Sequence, residues 1–292
     1  MLIQENIELA KFTSFKIGGK ARYFAEVKTP TDFIAALQLA AEKKVPYLVL
    51  GGGTNCLVRD QGFTGLVIRN QLRGLDLEDD LIIAETGLAL PEIHNFANKH
   101  GLTGFEKLAT VPGTLGGAIY NNAHYMDSLL ADFIAWVEII NPETLEIERL
   151  AKDQLGFKYD SSNIKIKNLP ALRAGLRLLR GDPTASRRLF LELLKKRADS
   201  QPYGTLNSGC VFQNVPVQLG PGHNGTSAGW LIEQCGLKGA RIGGAVISEK
   251  HGNFFINQGG ASSSDILALA EMCKNKVKEK YAVDLEYEIK II

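Results

Sequence analysis

The sequence predicts an α+β chain built from two units. Three observations lead there. Short apolar runs alternate with segments of helical periodicity through the first two thirds. A glycine-rich stretch interrupts the middle of that region. The last third carries its own strand signals and one long amphipathic helix, and the Gln201-Pro202 pair separates it from what precedes.

Each element has a local reason. Residues 15–28 alternate apolar and polar side chains around a Gly-Gly turn, as paired strands do. Thr31 and Asp32 open a helix whose apolar residues recur at helical spacing up to Lys44. Pro46 precedes the apolar run Tyr47-Leu48-Val49-Leu50, a buried strand that runs into Gly51-Gly52-Gly53. Residues 66–69 and 81–84 are further strands, and residues 90–100 a helix closed by Gly101. Residues 133–150 form a hairpin turning at Asn141-Pro142-Glu143-Thr144, and residues 171–182 a strand ending at Gly181-Asp182. Residues 185–200 form a helix with a basic outer face. In the last third, residues 210–215 are a strand and residues 228–236 a helix ended by Gly236. Residues 241–259 make two strands, residues 263–283 the long helix, and residues 285–292 a closing strand.

Composition excludes several function classes. Lysine plus arginine total 33 against 32 for aspartate plus glutamate, so the basic excess of a dedicated nucleic-acid binder is missing. Hydrophobic residues at 45% and charged residues at 22% are those of a folded globular chain rather than a disordered one. Cys56, Cys210, Cys235 and Cys273 are far apart and form no CxxC pair, which argues against a zinc site or a disulfide framework. The start of the chain is polar and acidic rather than basic and then apolar, and no run of 18 apolar residues occurs. A cytoplasmic chain without metal, membrane or nucleic-acid partners is the expectation.

Two glycine clusters carry the chemistry. Gly51-Gly52-Gly53-Thr54-Asn55 follows a strand directly, and Pro112-Gly113-Thr114-Leu115-Gly116-Gly117-Ala118 lies in the middle stretch. Glycine lets backbone amides approach an anion closely. Two such loops suit a pyrophosphate with groups on either side, and so favour a dinucleotide or flavin, against the reading that both are structural turns. Neither contains the GxxxxGK[ST] of a P-loop.

Other patterns mislead. Gly220 to Gly225 fits GxGxxG, but Pro221 removes an amide and no βαβ context precedes it. Gly225 to Gly229 fits GxSxG, but the strand that a nucleophile elbow requires is missing, and Ser227 is expected to cap the helix that follows. His94 and His100 are six apart and share no helix face, so both are expected at the surface or as caps. Cys210 is either a core residue or a nucleophile or proton donor. Glu286 and Glu288 alternate on the final strand and share a face.

Taken in order, these segments resemble one family. The resemblance runs from Thr13-Ser14-Phe15-Lys16-Ile17-Gly18-Gly19 through LVLGGGTN, VPGTLGGAIYNNA, SQP and SGCVFQN. It continues in AGWLIEQCGLKGARIGGAVISEKHGNFFIN and ends in LEYEIKII. It is to UDP-N-acetylenolpyruvoylglucosamine reductase, the MurB flavoenzyme family of peptidoglycan synthesis, in its shorter class without a tyrosine-bearing loop insertion.

The resemblance implies an FAD-binding domain of the vanillyl-alcohol-oxidase type over residues 15–182, in two parts of about 15–70 and 71–182. A smaller α+β substrate domain over 201–280 and a closing strand over 281–292 follow. It implies FAD between the two glycine loops, with Gly51, Gly52, Gly53, Thr54, Asn55, Pro112, Gly113, Thr114, Gly116, Gly117 and Ala118 around it. NADPH would be co-substrate and a UDP-sugar the partner, with the chain monomeric. Cys210 stands where the family has a proton-donating serine, and a thiol with reference pKa of about 8.5 can do that work. Glu288 matches the family's glutamate. Tyr159, Gln213 and Asn214 are the implied substrate contacts, with Lys238 and His251 weaker ones.

One position departs. Where the family reads Tyr-Arg-x-Ser, this chain has Tyr159-Asp160-Ser161-Ser162. An arginine that clamps a carboxylate is replaced by a carboxylate, and losing such an electrostatic partner costs about 3–4 kcal/mol of barrier. Lys158 or Lys165 is expected to take over the charge. The departure also supports two alternatives: a flavin oxidase or dehydrogenase acting on another substrate, and a member of the family that binds FAD without turnover.

Overall fold

The structure, a computed structural model, describes residues 1–222 and 225–292. His223 and Asn224, and with them the centre of the GxGxxG match, lie outside the described residues. The chain divides into two compact units. One comprises Met1–Glu5, Arg22–Gly52 and Thr64–Lys195; the other comprises Asn6–Ala21, Gly53–Phe63 and Lys196–Ile292.

The first unit is built on two sheets. One has the order β1 (Ile3–Glu8), β2 (Lys20–Val27), β4 (Phe63–Asn70), β3 (Tyr47–Leu50), with β3 and β4 parallel; β1 and β2 cross the division of the chain. Helix α1 (Pro30–Glu42) starts at Thr29, whose hydroxyl accepts from the Asp32 amide, and buries Phe33, Ala36 and Leu37. The second sheet is antiparallel. It comprises β5 (Leu75–Glu78), β6 (Leu81–Glu85), β7 (Ile134–Ile140), β8 (Ile147–Ala151) and β9 (Ala171–Arg177), in the order β8-β7-β9-β6-β5. Its core gathers Ile82, Ala84, Val137 and Ala174 of the sheet with Leu90 and Ile93 of α2 (Leu90–Lys99) and Leu115 and Ile119 of α3 (Leu115–Asn121). Helix α4 (Pro183–Ser200) buries only Ser186 and Leu193.

The second unit packs α5 (Ala228–Gln234) and α6 (Ser263–Tyr281) with a small antiparallel sheet: β10 (Arg241–Ile242), β11 (Ala245–Ile247) and β12 (Phe255–Asn257). Strand β13 (Lys290–Ile291) pairs in parallel with Cys56–Leu57. Among the described residues no helix is long and apolar enough to cross a membrane.

The division differs from the contiguous one expected from the sequence. Phe15, Ile17 and Leu57 sit in the core of the second unit, beside Leu285 and Ile289. Asp60 receives the Ser263 and Ser264 amides at 2.8 and 3.3 Å and so caps α6. These contacts draw two early segments out of the first unit and bring residues 281–292 into the second. Residues 210–215 and 285–289 make isolated bridges rather than continuous strands. His94 also departs from its surface expectation. It is 1% exposed, on the α2 face shared with Leu90, Ile93 and Ala97.

Candidate active site

In the first unit, β3 delivers the chain to Gly51. A Cβ built there would lie 2.4 Å from the Thr114 hydroxyl oxygen, so the two clusters meet at a point where only glycine fits. The second cluster is not wholly a loop. Gly113 has φ +131°, and Thr114 then caps α3, its hydroxyl accepting from the Gly117 amide at 3.5 Å. The Leu115 amide donates to the Leu88 carbonyl at 2.8 Å and the Gly116 amide to the Thr86 carbonyl at 2.9 Å. Gly116 is closely covered by Thr86, whereas Gly117 is exposed and its added Cβ would meet only the Thr114 hydroxyl, at 3.8 Å. Ala118, within the helix, is buried and Pro112 is exposed.

The far end of α3 leads to Asp160. Asn122 ends the helix in the left-handed conformation, its side-chain amide donating to the Lys158 carbonyl at 3.0 Å. The Ser162 hydroxyl donates to the Tyr120 carbonyl at 2.8 Å. Lys158 and Ser161 exchange backbone bonds around Tyr159 and Asp160. Asp160 has φ +49° and its side chain is buried, one oxygen 3.5 Å from His124 Nδ1 and the other without a hydrogen-bond partner among the described residues. Burial pushes its carboxyl above the usual range, against the opposing pull of His124 and Lys165. Lys165 Nζ donates to the Asp160 carbonyl at 2.9 Å and to Asn121 Oδ1 at 3.1 Å. Lys158, the other candidate cation, is exposed. Tyr159 is exposed too, its ring 4.9 Å from that of His124.

In the second unit, Cys210 opens a segment held on both sides. The Val211 amide donates to the Asn253 carbonyl at 2.9 Å. The Asn253 side chain clasps Phe212, accepting from its amide at 2.9 Å and donating to its carbonyl at 2.7 Å. On the other side the Glu288 amide donates to the Val211 carbonyl, and the Gln213 amide to the Glu286 carbonyl, both at 2.9 Å. Asn55 Nδ2 donates to the Glu288 carbonyl at 3.4 Å, and the Lys290 amide to the Asn55 carbonyl at 3.1 Å. The structure thus brings Asn55, Cys210 and Glu288 onto neighbouring segments. Glu288 is half-buried and Glu286 exposed.

The remaining expected contacts are more dispersed. Asn214 Oδ1 accepts from the Ala228 amide at 3.2 Å, so part of its side chain serves the start of α5. Ser227 caps that helix. Lys238 pairs with Glu233 at 3.1 Å, and Glu233 also receives the Gly252 amide. Glu233, Trp230 and His251 line an open cleft of about 330 Å³, with His251 pushed by burial below its usual pKa. Among the described residues no group of three or more His, Cys, Asp and Glu side chains is placed to hold a metal ion. Sequence reasoning missed Asn253, which reads only as a turn residue after Gly252.

Residues 201–292 match the family model for the C-terminal domain of UDP-N-acetylenolpyruvoylglucosamine reductase, and residues 21–148 match that of an FAD binding domain. The reductase of Caldanaerobacter subterraneus subsp. tengcongensis is 39% identical over 98% of this chain and 92% of its own length. The chain belongs to the UDP-N-acetylenolpyruvoylglucosamine reductase family. The reductase of Chloroherpeton thalassium is 37% identical over 99% of this chain and 93% of its own. The crystal structure of the Thermus caldophilus reductase superposes with a TM-score of 0.84 at 31% identity, over 99% of both chains. The fold is accordingly α+β with an FAD-binding domain of the vanillyl-alcohol-oxidase type, and the chain is an FAD-dependent oxidoreductase of peptidoglycan precursor synthesis.

The residues present fit that cofactor. A helix-interior glycine costs about 1 kcal/mol relative to alanine. At Gly117 no neighbouring atom among the described residues demands it, since its Cβ would have ordinary contacts. Space kept open over the first turn of α3, beside the Gly51–Thr114 approach, is what a pyrophosphate lying on backbone requires.

Proposed function

We propose that this chain reduces UDP-N-acetylglucosamine-enolpyruvate to UDP-N-acetylmuramate with NADPH as electron donor. Bound FAD would supply the two-electron carrier between the two substrates. Gly51 and Gly52, with Pro112 to Ala118, would hold its pyrophosphate through backbone, and Gly53, Thr54 and Asn55 would be further FAD contacts.

The observation that supports the reading is the Val211–Glu288 backbone bond, which holds the segments of Cys210 and Glu288 side by side. Hydride on one carbon of the enolpyruvyl double bond leaves the carbon next to the carboxylate to be protonated. Cys210 is the proton donor, a role open to a thiol. Glu288 helps to stabilise or protonate the enol form. Gln213, Lys238 and the amide donors of Asn214 are suited to a diphosphate, and Tyr159 to the edge of the sugar nucleotide. The reading has the chain act in the cytoplasm and as a monomer.

Asp160 favours a second reading, an FAD enzyme that oxidises another substrate. Anaerobic NADPH oxidation by the FAD-loaded protein, with and without UDP-N-acetylglucosamine-enolpyruvate, separates the two. Consumption that depends on the sugar nucleotide supports the reductase. Flavin reduction that the sugar nucleotide does not reverse removes it.

A further inference from the structure

The segment that carries Glu288 is thinly held by backbone. Residues 285–289 meet the Cys210 segment in an isolated bridge, Phe212 to Tyr287, rather than in a continuous strand. The bridge is crossed by the Gln213 amide to the Glu286 carbonyl and by the Glu288 and Ile289 amides to the Val211 carbonyl, the last at 3.5 Å. A pairing this short leaves its register to the side chains on its faces.

Alternation along the segment puts residues 285, 287 and 289 on one side and residues 286 and 288 on the other. Leu285 and Ile289 are buried in the core of the second unit. Tyr287, between them, packs against that core but is only partly buried. Its ring lies 5.3 Å from that of Phe212 and 22° from parallel to it, and the fully buried Phe212 meets Phe255 edge-on. The Tyr287 hydroxyl donates to Glu271 Oε1 on α6 at 3.1 Å. Lys274 Nζ stands 4.9 Å from the centre of the Tyr287 ring and 3.6 Å from the same Glu271 oxygen. Burial and the Glu271 carboxylate push the phenol's pKa up, so it stays a donor at any working pH. A side chain that only filled the core could be aliphatic, as at positions 285 and 289. Tyr287 instead joins the Glu288 segment, the residue two places after Cys210, and the surface of α6. An aromatic pair stacked across two segments opposes a slip between them.

We propose that Tyr287 is a positioning residue for reduction of the enolpyruvyl group: stacked on Phe212 and tethered to Glu271, it sets how the Glu288 segment lies beside the Cys210 segment. The inference rests on the reductase reading above, in which Cys210 and Glu288 handle the proton. It gives Tyr287 no contact with substrate or flavin.

The test uses FAD-loaded full-length protein. Stopped-flow absorbance follows flavin reduction by NADPH and then reoxidation over a range of UDP-N-acetylglucosamine-enolpyruvate concentrations. Tyr287→Leu removes stack and tether. It lowers the limiting reoxidation rate about 10- to 100-fold, and leaves flavin reduction and the half-saturating sugar nucleotide concentration within about twofold. Tyr287→Phe and Glu271→Ala cut the tether and keep the stack, so each recovers all but about two- to fivefold of that rate. Val277→Ala, a change in the same core on α6, lowers the urea midpoint and keeps both rates. Wild-type reoxidation in Tyr287→Leu overturns the assignment, as does equal loss in both half-reactions or the same loss in Val277→Ala. Wild-type rates in both tether variants overturn it even where Tyr287→Leu fails to fold. Wild-type reoxidation in Cys210→Ala and Glu288→Gln overturns the reading of the site, and this inference with it. Slow reoxidation in those two beside a normal Tyr287→Leu protein overturns this inference alone.

Discussion

The Glu288 amide donates to the Val211 carbonyl at 2.9 Å, so the glutamate and the cysteine one residue before Val211 are held in register by backbone. Side-chain changes at either position leave that bond in place, which makes their effects readable as chemistry. Cys210→Ser should keep turnover within about tenfold, since a hydroxyl can also pass a proton. Cys210→Ala should lower kcat by about 10²–10⁴ while flavin reduction by NADPH proceeds unchanged. Glu288→Gln should behave as Cys210→Ala does. Stopped-flow separation of flavin reduction from reoxidation by the sugar nucleotide decides it. Equal loss in both half-reactions would refute the proton-donor role.

Gly117 offers a test in which stability and function move in opposite directions. Among the described residues, and outside the helix's own backbone, a methyl there meets only the Thr114 hydroxyl, at 3.8 Å. Gly117→Ala should therefore stabilise the FAD-free protein by up to about 1 kcal/mol through helix propensity. The same methyl occupies the space left over the first turn of α3, so FAD affinity should fall. Thermal unfolding of the FAD-free protein and a flavin titration measure the two effects. Unchanged FAD affinity would remove Gly117 from the cradle.

Much of this was legible in the sequence where periodicity is strong, as in α1, α2 and α6. Helix α3 was not, because Gly116 and Gly117 depress helix propensity in its first turns; the Thr114 cap and the burial of Leu115, Ala118 and Ile119 sustain it. The edge strand β1 shows no clean alternation, since only its two isoleucines are partly shielded. The burial of His94 could have been read from its spacing to Leu90, Ile93 and Ala97, which is one helical face. The neighbourhood of Cys210 and Glu288 could not be read from spacing. Seventy-odd residues separate them, and the approach of their segments depends on a backbone register that no local pattern encodes. The fate of Asp160 was equally hidden, because a residue type says nothing about which way a turn points its side chain.

Asn253 is the clasp of the Cys210 segment. Its side chain satisfies both backbone groups of Phe212 in a site only 1% exposed. Asn253→Ala strands a buried donor and a buried acceptor, each worth about 1–3 kcal/mol when unsatisfied. The expected loss of about 2–4 kcal/mol should appear as a lower urea midpoint. An FAD-loaded Asn253→Ala protein that still folds should reoxidise slowly with the sugar nucleotide, because Cys210 loses its anchor.

His94 sets a pH dependence of stability. Its Nε2 lies 3.3 Å from the Ser186 hydroxyl, which donates to Glu106 at 2.5 Å, and its Nδ1 has no hydrogen-bond partner among the described residues. Burial lowers its pKa below 6.5, only partly offset by Glu106. Burial alone would raise Glu106, but bonds from Ser186 and the Gly104 amide outweigh it and hold the carboxyl below its usual range. For a histidine with a depressed folded pKa, the unfolded chain binds a proton that the native state refuses. Stability is therefore full above about pH 6.5 and falls as pH drops toward the folded value. His94→Gln removes this group, so its melting temperature should decline less between pH 7 and pH 5.5 than that of the wild type. His251, also lowered by burial, leaves the variant part of the slope. Identical slopes in the two proteins would show that His94 is protonated in the native state at pH 5.5, contrary to the direction given by its burial.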